Sequence, residues 1–503
     1  MYNQLNKFCL SIPRKLLNRL EITGLFLLVF LSSFIYSFIN WQKHIHFQTF
    51  GWDTSVFDQQ VYLASILKIP HSSLHTSFYN LPVGMNALGD HFHPLVLIIG
   101  GFLYRIWADP RMLFILQSVV VSLSAIPFYL LSKHVIQRTK IPAIGTISIG
   151  FALSSMYLFS VAFQAMVLDE FHDDVLVTLP LLYMLYFLVR KKYNLYWIAY
   201  IFVLLTKEEY GLLGIPIGLY IVITQKNVKH AILTAFIGIT TFYLLLFHIM
   251  PSLAGNIEYP HFLSENKPSV VIQKMMQNPA LFITKFFDHP AKIKTLKTSL
   301  FSYGALPLFS PTNLLLPASS LAIRFYDDTT PRRYEFNNHY ASPFIPFFAV
   351  GSIFGLYNLM HVLIRKKWIN LKTIWIPITA FLFCITAMQN LQLHGPINSL
   401  FKKSFYQTNN WEYDTYELIK RVPPNVTIAS NNSLLAHLSQ RESFYLLPEI
   451  GNAPYIAVDL HTGPNKHAPL SSDATRTLIN ALVEENSYQI VWQKNDALLL
   501  EKL

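Results

Sequence analysis

Long apolar segments separated by short polar stretches occupy most of this 503-residue chain. A helix needs about 20 largely apolar residues to cross a bilayer, and fewer where neighbouring helices bury it. We therefore predict an all-α polytopic membrane domain of about 9–11 transmembrane helices. The predicted spans are Ile22–Phe38, Met112–Leu131, Pro142–Gln164, Val175–Val189, Leu195–Thr206, Tyr210–Thr224, Ala231–Met250, Ala341–Leu363 and Thr373–Leu391.

Two further apolar stretches are ambiguous. Pro94–Trp107 is short for a span, and Phe301–Ile323 is interrupted by Pro307, Pro311 and Pro317. A re-entrant or interfacial placement fits both stretches, because helix-breaking residues are tolerated at membrane depth only where protein or water surrounds them. We interpret Pro94–Trp107 as juxtamembrane and leave Phe301–Ile323 open.

Clusters of basic residues favour one orientation for these helices. Cytoplasmic loops collect Lys and Arg, and all the clusters fall in the same set of alternate loops if the two ambiguous stretches do not span. We therefore predict a plasma-membrane protein with a cytoplasmic N-terminus (1–21) and a transmembrane domain (22–394) with long outer loops (40–111 and 251–340). The clusters are Arg14/Lys15/Arg19, Lys133/Arg138/Lys140, Arg190/Lys191/Lys192, Lys226/Lys229 and Arg365/Lys366/Lys367.

From Gly395 the chain becomes polar, and its apolar runs shorten. Short buried runs and a turn at Lys494-Asn495-Asp496 predict a small α/β domain at 395–503, which the loop parity places outside the cell. It contains no Gly-rich phosphate loop and no nucleophile elbow, so we interpret it as structural or recognitional. Its predicted strands are Val426–Ala429, Tyr455–Val458, Tyr488–Trp492 and Ala497–Leu500, and its predicted helices are Ser433–Leu438 and Ala474–Glu484.

The composition agrees with a membrane protein. Hydrophobic residues make up 52% of the chain and charged residues only 13%, against about 25% charged in soluble domains. The net charge of +11 is explained by basic loops, and no nucleic-acid motif accompanies it. The two cysteines, Cys9 and Cys384, form no metal-ligand spacing and no disulfide framework.

Acidic and histidine residues gather in the loops that we place outside. Asp53 follows the first span near a predicted helix start, where a carboxylate serves either as a general base or ligand or as a helix cap. Asp90, His91 and His93 lie within four residues and are the candidate metal ligands, because imidazole and carboxylate suit Zn, Mn or Fe. Hydrogen bonding to a substrate, or a neutral histidine satisfied by the backbone, is the alternative.

Two further motifs lie at span ends. Asp169-Glu170-Phe171-His172-Asp173-Asp174 places like charges close enough to raise a pKa or to attract a cation. A solvated helix junction is the alternative. Lys207, followed by Glu208, interrupts two apolar runs and is a candidate phosphate contact, with a structural ion pair as the alternative. His339 and Tyr340 precede a span and are able to complete a pocket.

Together these motifs resemble a family of bacterial membrane proteins. Asp53…Phe57-Asp58-Gln59, Gly89-Asp90-His91-Phe92-His93-Pro94, Phe171-His172, Thr206-Lys207-Glu208 and His339-Tyr340 resemble the DUF2079 family, and the match covers about residues 20–390. The first motif reads Gly-Trp-Asp where the family pattern has Phe before the Asp. The layout also resembles the GT-C superfamily of glycosyltransferases, which use polyprenyl-phosphate sugars.

The resemblance implies roles for particular residues. It gives Asp53 the role of base or orienting group beside the acceptor, and it gives Lys207 and Arg324 the donor phosphate. The remaining implied substrate-binding residues are Asp58, Gln59, Asp90, His91, His93, Glu170, His172, Glu208, His339 and Tyr340.

We therefore expect a glycosyltransferase that moves a sugar from a polyprenyl-phosphate donor to an acceptor at the outer face. Its expected partners are membrane lipid and that donor, and not nucleic acid; no cofactor is required by the sequence, and a divalent cation stays open. A transporter or lipid flippase would instead place ionisable residues near the midplane of the bilayer. A non-catalytic scaffold is the third alternative.

Overall fold

The computed structural model describes residues 13–257, 273, 277–278, 280–326, 331–366, 370–461 and 469–503. Cys9, Lys367 and part of the predicted outer loop 251–340 lie outside these residues. The described chain is mostly helical, with several apolar helices followed by a small C-terminal sheet.

Four of the described helices are long and apolar enough to cross a membrane. A fifth candidate span bends by 50° between Ala143–Phe159 and Val161–Val167. The bend falls at Ser160, whose extended backbone ends one helix and whose side chain caps the next. The four helices are Arg14–Ile45, Pro110–Thr139, Val228–Leu253 and Ile345–Arg365.

Several other predicted spans form shorter helices. Two of them begin with a 3₁₀ segment, Asp173–Val177 or Glu208–Leu213, so that their charged first residues lie on a turn rather than inside an apolar helix. The predicted total of 9–11 spans therefore stays a prediction. The shorter helices are Thr178–Val189, Tyr193–Leu204, Gly214–Gln225 and Trp375–Gln392.

The two ambiguous stretches form no long helix. Pro94–Tyr104 has 11 residues, which is about 16 Å and half the thickness of a bilayer core. Phe301–Ile323 is divided between separate elements because its prolines cannot continue a helix. Those elements are Pro290–Phe301, Leu306–Phe309, Asn313–Leu315 and Ala318–Phe325.

Short helices and turns complete the membrane part. The segment after the first helix begins with a π-helical turn, Gly51–Ser55, followed by the helix Val56–Ser65. The remaining elements are Ser73–Phe78, Ala87–Asp90, Leu245–Ile249, Ala280–Thr284, Pro331–Tyr334, His339–Ala341, Pro396–Phe401 and Lys403–Tyr406.

Glycines let one charged turn lie directly against a neighbouring helix. A Cβ atom built on Gly238 would lie 2.2 Å from the carbonyl oxygen of Gly211, and one built on Gly211 would lie 2.4 Å from the carbonyl oxygen of Gly238. Only glycine permits so close a backbone approach. The contact fixes the turn that contains Lys207 and Glu208.

The C-terminal sheet has five strands, which lie in the order Phe444–Leu446 (β2), Ile428–Ser430 (β1), Tyr455–Asp459 (β3), Ala497–Lys502 (β5) and Tyr488–Lys494 (β4). β1 (Ile428–Ser430) pairs in parallel with β2 (Phe444–Leu446) and β3 (Tyr455–Asp459). β5 (Ala497–Lys502) is antiparallel to β3 and to β4 (Tyr488–Lys494), which confirms the predicted hairpin. The predicted helices form at Asn432–Leu438 and Ser472–Glu484, whereas β2 and the helix Asn410–Arg421 were not predicted.

The C-terminal sheet packs onto the segment that follows the first long helix. Phe47, Val56 and Leu74 share one buried cluster with Leu435 and Phe444. This common apolar core places the C-terminal domain on the side of the membrane part where the first helix ends.

Polar contacts fix the same interface. The buried carboxylate of Asp58 accepts hydrogen bonds from Tyr104 Oη (2.6 Å), Ser439 Oγ (2.6 Å) and Gln440 Nε2 (3.1 Å). Gln59 Nε2 donates to the carbonyl oxygen of Glu442 at 3.1 Å. The motif that contains these two residues therefore docks the C-terminal domain.

We expect Asp58→Ala to destabilise the protein by about 2–4 kcal/mol, because buried donors lose their acceptor. Asp58→Asn keeps one carbonyl acceptor and is expected to cost less. The midpoint of thermal unfolding in detergent measures both changes. Equal midpoints for the two variants would contradict this interpretation of the interface.

Candidate functional site

Ionisable side chains converge at helix ends on the side that carries the C-terminal domain. They come from the turn Gly51–Ser55, from the Gly89–Pro94 segment, from residues 169–174, from residues 207–209 and from residues 332–340. Two groups can be distinguished within this region by their exposure and by their contacts.

The first group, which we name the histidine cluster, consists of Asp53, Asp169, His172, Arg332 and His339. The imidazole rings of His172 and His339 stack with centroids 3.4 Å apart and planes 12° apart. His339 Nδ1 lies 3.0 Å from Asp169 Oδ2, which also accepts the His339 backbone N–H. His172 Nε2 lies 3.2 Å from Asp53 Oδ1.

Arg332 closes the solvent side of the histidine cluster. One of its terminal nitrogens lies 3.5 Å from Asp53 Oδ2 and 3.5 Å from Asp169 Oδ1. The side chain of Arg332 is 53% exposed, whereas those of Asp53 and Asp169 are 20% exposed. Water can therefore reach the cluster when Arg332 changes its rotamer, because an arginine side chain has many rotamers.

Glu170 supports the turn that presents Asp53. Its Oε2 atom accepts hydrogen bonds from the backbone N–H of Phe50 (2.9 Å) and from Thr54 Oγ1 (2.7 Å). On the other side of the turn, the Gly51 N–H donates to Asn432 Oδ1 of the C-terminal domain at 2.8 Å. Asp53 is thus held between the membrane part and the C-terminal domain.

Neighbouring charges set the protonation of the histidine cluster. Burial favours a higher pKa for Asp53, but the charge of the adjacent His172 outweighs it and lowers that pKa. The charges of His339 and Arg332 lower it further. Burial, together with the charge of Asp53, raises the pKa of Glu170 to about 7.

The pKa values of the two histidines shift in opposite directions. Burial lowers the pKa of His172, but the adjacent Asp53 carboxylate raises it above its ordinary value. Burial and the charge of His172 lower the pKa of His339 to about 4. At neutral pH His339 is therefore neutral, whereas the Asp53 carboxylate favours the protonated form of His172.

The second group, which we name the lysine network, consists of His93, Asp173, Asp174, Lys207 and Tyr210. Lys207 Nζ lies 3.0 Å from Asp174 Oδ2 and 3.7 Å from Asp173 Oδ1. Tyr210 Oη donates to Asp174 Oδ1 at 2.7 Å, and His93 Nδ1 lies 3.3 Å from Asp173 Oδ2. Burial favours a lower pKa for Lys207, but the two aspartates raise it.

Lys207 and Arg324, the cations predicted to hold a phosphate, are both buried in ion pairs. The side chain of Lys207 is 9% exposed and that of Arg324 is 5% exposed. Arg324 pairs with both carboxylate oxygens of Glu209, and its guanidinium carbon lies 4.9 Å from the centre of the Tyr340 ring. The structural ion pair, which the sequence left open as the alternative for Lys207, is what the structure contains.

The candidate metal ligands Asp90, His91 and His93 each contact a different side chain in the structure. Asp90 bonds to His75, His91 Nδ1 lies 3.0 Å from Glu208 Oε1, and His93 Nε2 lies 3.0 Å from Gln60 Oε1. Among the described residues, the group whose potential ligand atoms all lie within 4.8 Å of one another is Asp169, His172 and His339.

Asp58 and Gln59 also differ from the sequence-based expectation. Their hydrogen bonds run to the C-terminal domain rather than to the histidine cluster. A cavity of about 240 Å³ lies at that interface and is lined by Asp58, Arg111, His437 and Arg441 among others, with no residue of the histidine cluster.

Asp169 and Arg332 were not assigned roles from sequence, although both belong to segments with a visible signal. Asp169 begins the acidic motif that contains Glu170 and His172. Arg332 lies in the basic part of the predicted outer loop. Proximity between these two segments is the information that the sequence lacked.

The pair of His91 and Glu208 predicts a pH-dependent stability. Burial favours a lower pKa for His91, but the charge of Glu208 raises it to about 9. Burial favours a higher pKa for Glu208, but His91 lowers it to about 2. The pair is therefore fully stabilising between about pH 4.5 and 6.5 and weakens as the pH rises through 9 or falls through 2.

We expect the thermal unfolding midpoint to fall between pH 6.5 and 9.5, and Glu208→Gln to reduce that fall. The side chain of His91 is 25% exposed, so the contribution is on the order of 1 kcal/mol after solvent screening. His71→Gln, which removes a half-buried histidine that contacts Glu442 rather than this pair, is the control. The same pH dependence in the wild type and in Glu208→Gln would contradict the pairing.

Comparison with known proteins agrees with the membrane character of the chain. Among curated proteins, none matches it. The model of a family described as predicted membrane proteins, DUF2079, matches residues 43–499. That match includes the C-terminal domain and so extends beyond the region of about 20–390 that the motifs cover. The chain therefore belongs to the DUF2079 family of predicted membrane proteins.

Proposed function

We propose that this protein is a GT-C-type glycosyltransferase that moves a sugar from a polyprenyl-phosphate donor to an acceptor at the outer membrane face. The observation that carries the proposal is the histidine cluster. It places an ionised carboxylate, Asp53, and an exposed cation, Arg332, 3.5 Å apart beside the helix ends. A transfer from a lipid-linked donor to a polar acceptor needs a base for the acceptor hydroxyl and a cation for the donor phosphate close to each other.

In this proposal Asp53 orients the acceptor hydroxyl and takes its proton late. Its lowered pKa keeps it ionised at neutral pH, so it accepts a hydrogen bond from the attacking hydroxyl. The hydroxyl oxygen bonds to the anomeric carbon while the bond from that carbon to the phosphate oxygen breaks. The proton passes to Asp53, and polyprenyl phosphate leaves with inversion at the carbon.

Arg332 is the cation that we assign to the donor phosphate. Its guanidinium is exposed and lies 3.5 Å from two carboxylates, so it can turn toward an anion at small cost. Lys207 and Arg324 are buried in ion pairs and act instead as positioning residues. Charge-assisted bonds to a phosphate oxygen would stabilise the leaving group.

Two other functions fit these observations less well. A transporter or flippase would gather ionisable groups near the midplane of the bilayer, whereas the histidine cluster is built from turns at helix ends. A scaffold gives no role to the stacked histidines and their carboxylates. Burying such groups costs stability, and they are concentrated at functional sites.

We expect Asp53→Asn to reduce sugar transfer by about 10²-fold or more, because the amide accepts no proton. The assay follows a labelled sugar from polyprenyl-phosphate donors to lipid or glycan acceptors in membranes. Asp414→Asn is the matched control, since Asp414 is a buried aspartate that pairs with Lys494 outside the cluster. Full transfer by a folded Asp53→Asn variant would refute the role of this carboxylate.

Arg332→Gln is expected to raise the KM for the donor by about tenfold, because a charge-assisted phosphate contact is worth about 1.5–3 kcal/mol. Arg332→Lys should restore part of that loss. An unchanged KM in Arg332→Gln would move the phosphate contact to another residue.

A further inference from the structure

We propose that Asp169, His172 and His339 bind one divalent transition-metal ion, Zn²⁺ or Mn²⁺, beside Asp53. This site would supply a cofactor to the proposed transferase. The inference itself rests on the geometry of the histidine cluster, so binding and transfer can be tested separately.

The three side chains approach one another from two segments. Their potential ligand atoms all lie within 4.8 Å of one another, whereas two atoms about 2.0–2.2 Å from one ion are at most about 4.4 Å apart, so the side chains must shift inward to bind one ion. His172 and Asp169 are three residues apart, whereas His339 comes from the turn His339–Ala341. Gln117 Oε1 accepts the His172 backbone N–H at 2.9 Å and fixes the first segment.

His172 supplies an independent indication of a ligand. The residue is 4% exposed, and neither of its ring nitrogens makes a hydrogen bond with the described residues. Nε2 lies 3.2 Å from Asp53 Oδ1 but not in hydrogen-bond geometry. Buried polar atoms are normally satisfied, and a metal ion beside the ring would satisfy this one.

The ligand types select the class of metal. Two imidazoles with carboxylates suit Zn²⁺ and Mn²⁺, whereas Mg²⁺ and Ca²⁺ prefer all-oxygen sites. A nitrogen lone pair lies in the plane of its ring, so the stacked rings do not both point at one ion. Binding must therefore turn at least one imidazole about its Cβ–Cγ bond and open the stack.

Arg332 compensates the negative charges of Asp53 and Asp169 in the absence of a metal ion. Its guanidinium lies 3.5 Å from both Asp53 Oδ2 and Asp169 Oδ1. A divalent ion would take over the charge compensation of these carboxylates. The exposed arginine would then be free to turn outward, toward the position that we assign to the donor phosphate.

The direct test is metal binding by the full chain, purified in detergent and stripped with a chelator. We expect one Zn²⁺ or Mn²⁺ per chain by elemental analysis and calorimetry, and at least tenfold weaker binding in His172→Gln and in His339→Gln. His46→Gln is the matched control, because His46 is a buried histidine that pairs with Glu412 at 2.8 Å outside the cluster. Wild-type affinity in both cluster variants would overturn the site, as would equal binding of Mg²⁺.

X-ray absorption of the Zn²⁺-loaded wild type keeps the test decisive if a variant does not fold. We expect two imidazole nitrogens with carboxylate oxygen around the metal, and an all-oxygen or sulfur shell would overturn the assignment. Metal binding without sugar transfer would leave the site intact and remove the proposed function. Sugar transfer by chelator-stripped protein that binds no metal would overturn the metal site and leave the proposed function intact.

Discussion

The ammonium group of Lys207 between Asp173 and Asp174 is the interaction on which the polar interior of this protein depends. Each of these groups is buried, and an isolated buried charge would cost several kcal/mol. The pairing removes most of that cost and joins the turn before Gly214–Gln225 to the turn before Thr178–Val189. Two helices thereby meet in a fixed register at their charged ends.

Other groups are arranged around this ion pair. Tyr210 donates a hydrogen bond to Asp174. His93 lies close to Asp173 and so connects the Gly89–Pro94 segment to the network. His339 Nε2 lies 3.9 Å from Asp174 Oδ2, which connects the lysine network to the histidine cluster. The lysine network is thus the buried part of this region. The histidine cluster is the part that is partly exposed and that water and ligands can reach.

The C-terminal domain completes the same region from the other side. Asn432 binds the backbone of Gly51, and Ser439 and Gln440 bind Asp58. The domain therefore does more than follow the membrane part in sequence, because it holds the segment that presents Asp53. The family match, which spans both parts, agrees with this shared construction.

The apolar pattern predicted the helical membrane part and the hairpin well, because both depend on local periodicity. The motifs also mark segments that meet in the histidine cluster and in the lysine network. Spacing alone did not show that Asp90, His91 and His93 contact different partners, since the backbone of His91 is extended and neighbouring side chains on an extended segment point to opposite sides. The stack of His172 on His339 joins positions far apart in sequence, and burial of Lys207 and Arg324 in ion pairs depends on tertiary contacts that no local pattern reveals.

The lipid-linked sugars of cells with and without this gene test the proposed transferase most directly. Loss of the gene should make a polyprenyl-phosphate sugar accumulate while its glycosylated product disappears, and the wild-type gene should restore both. An unchanged profile of lipid-linked sugars, with altered uptake of a solute instead, would contradict the transferase and favour a transporter.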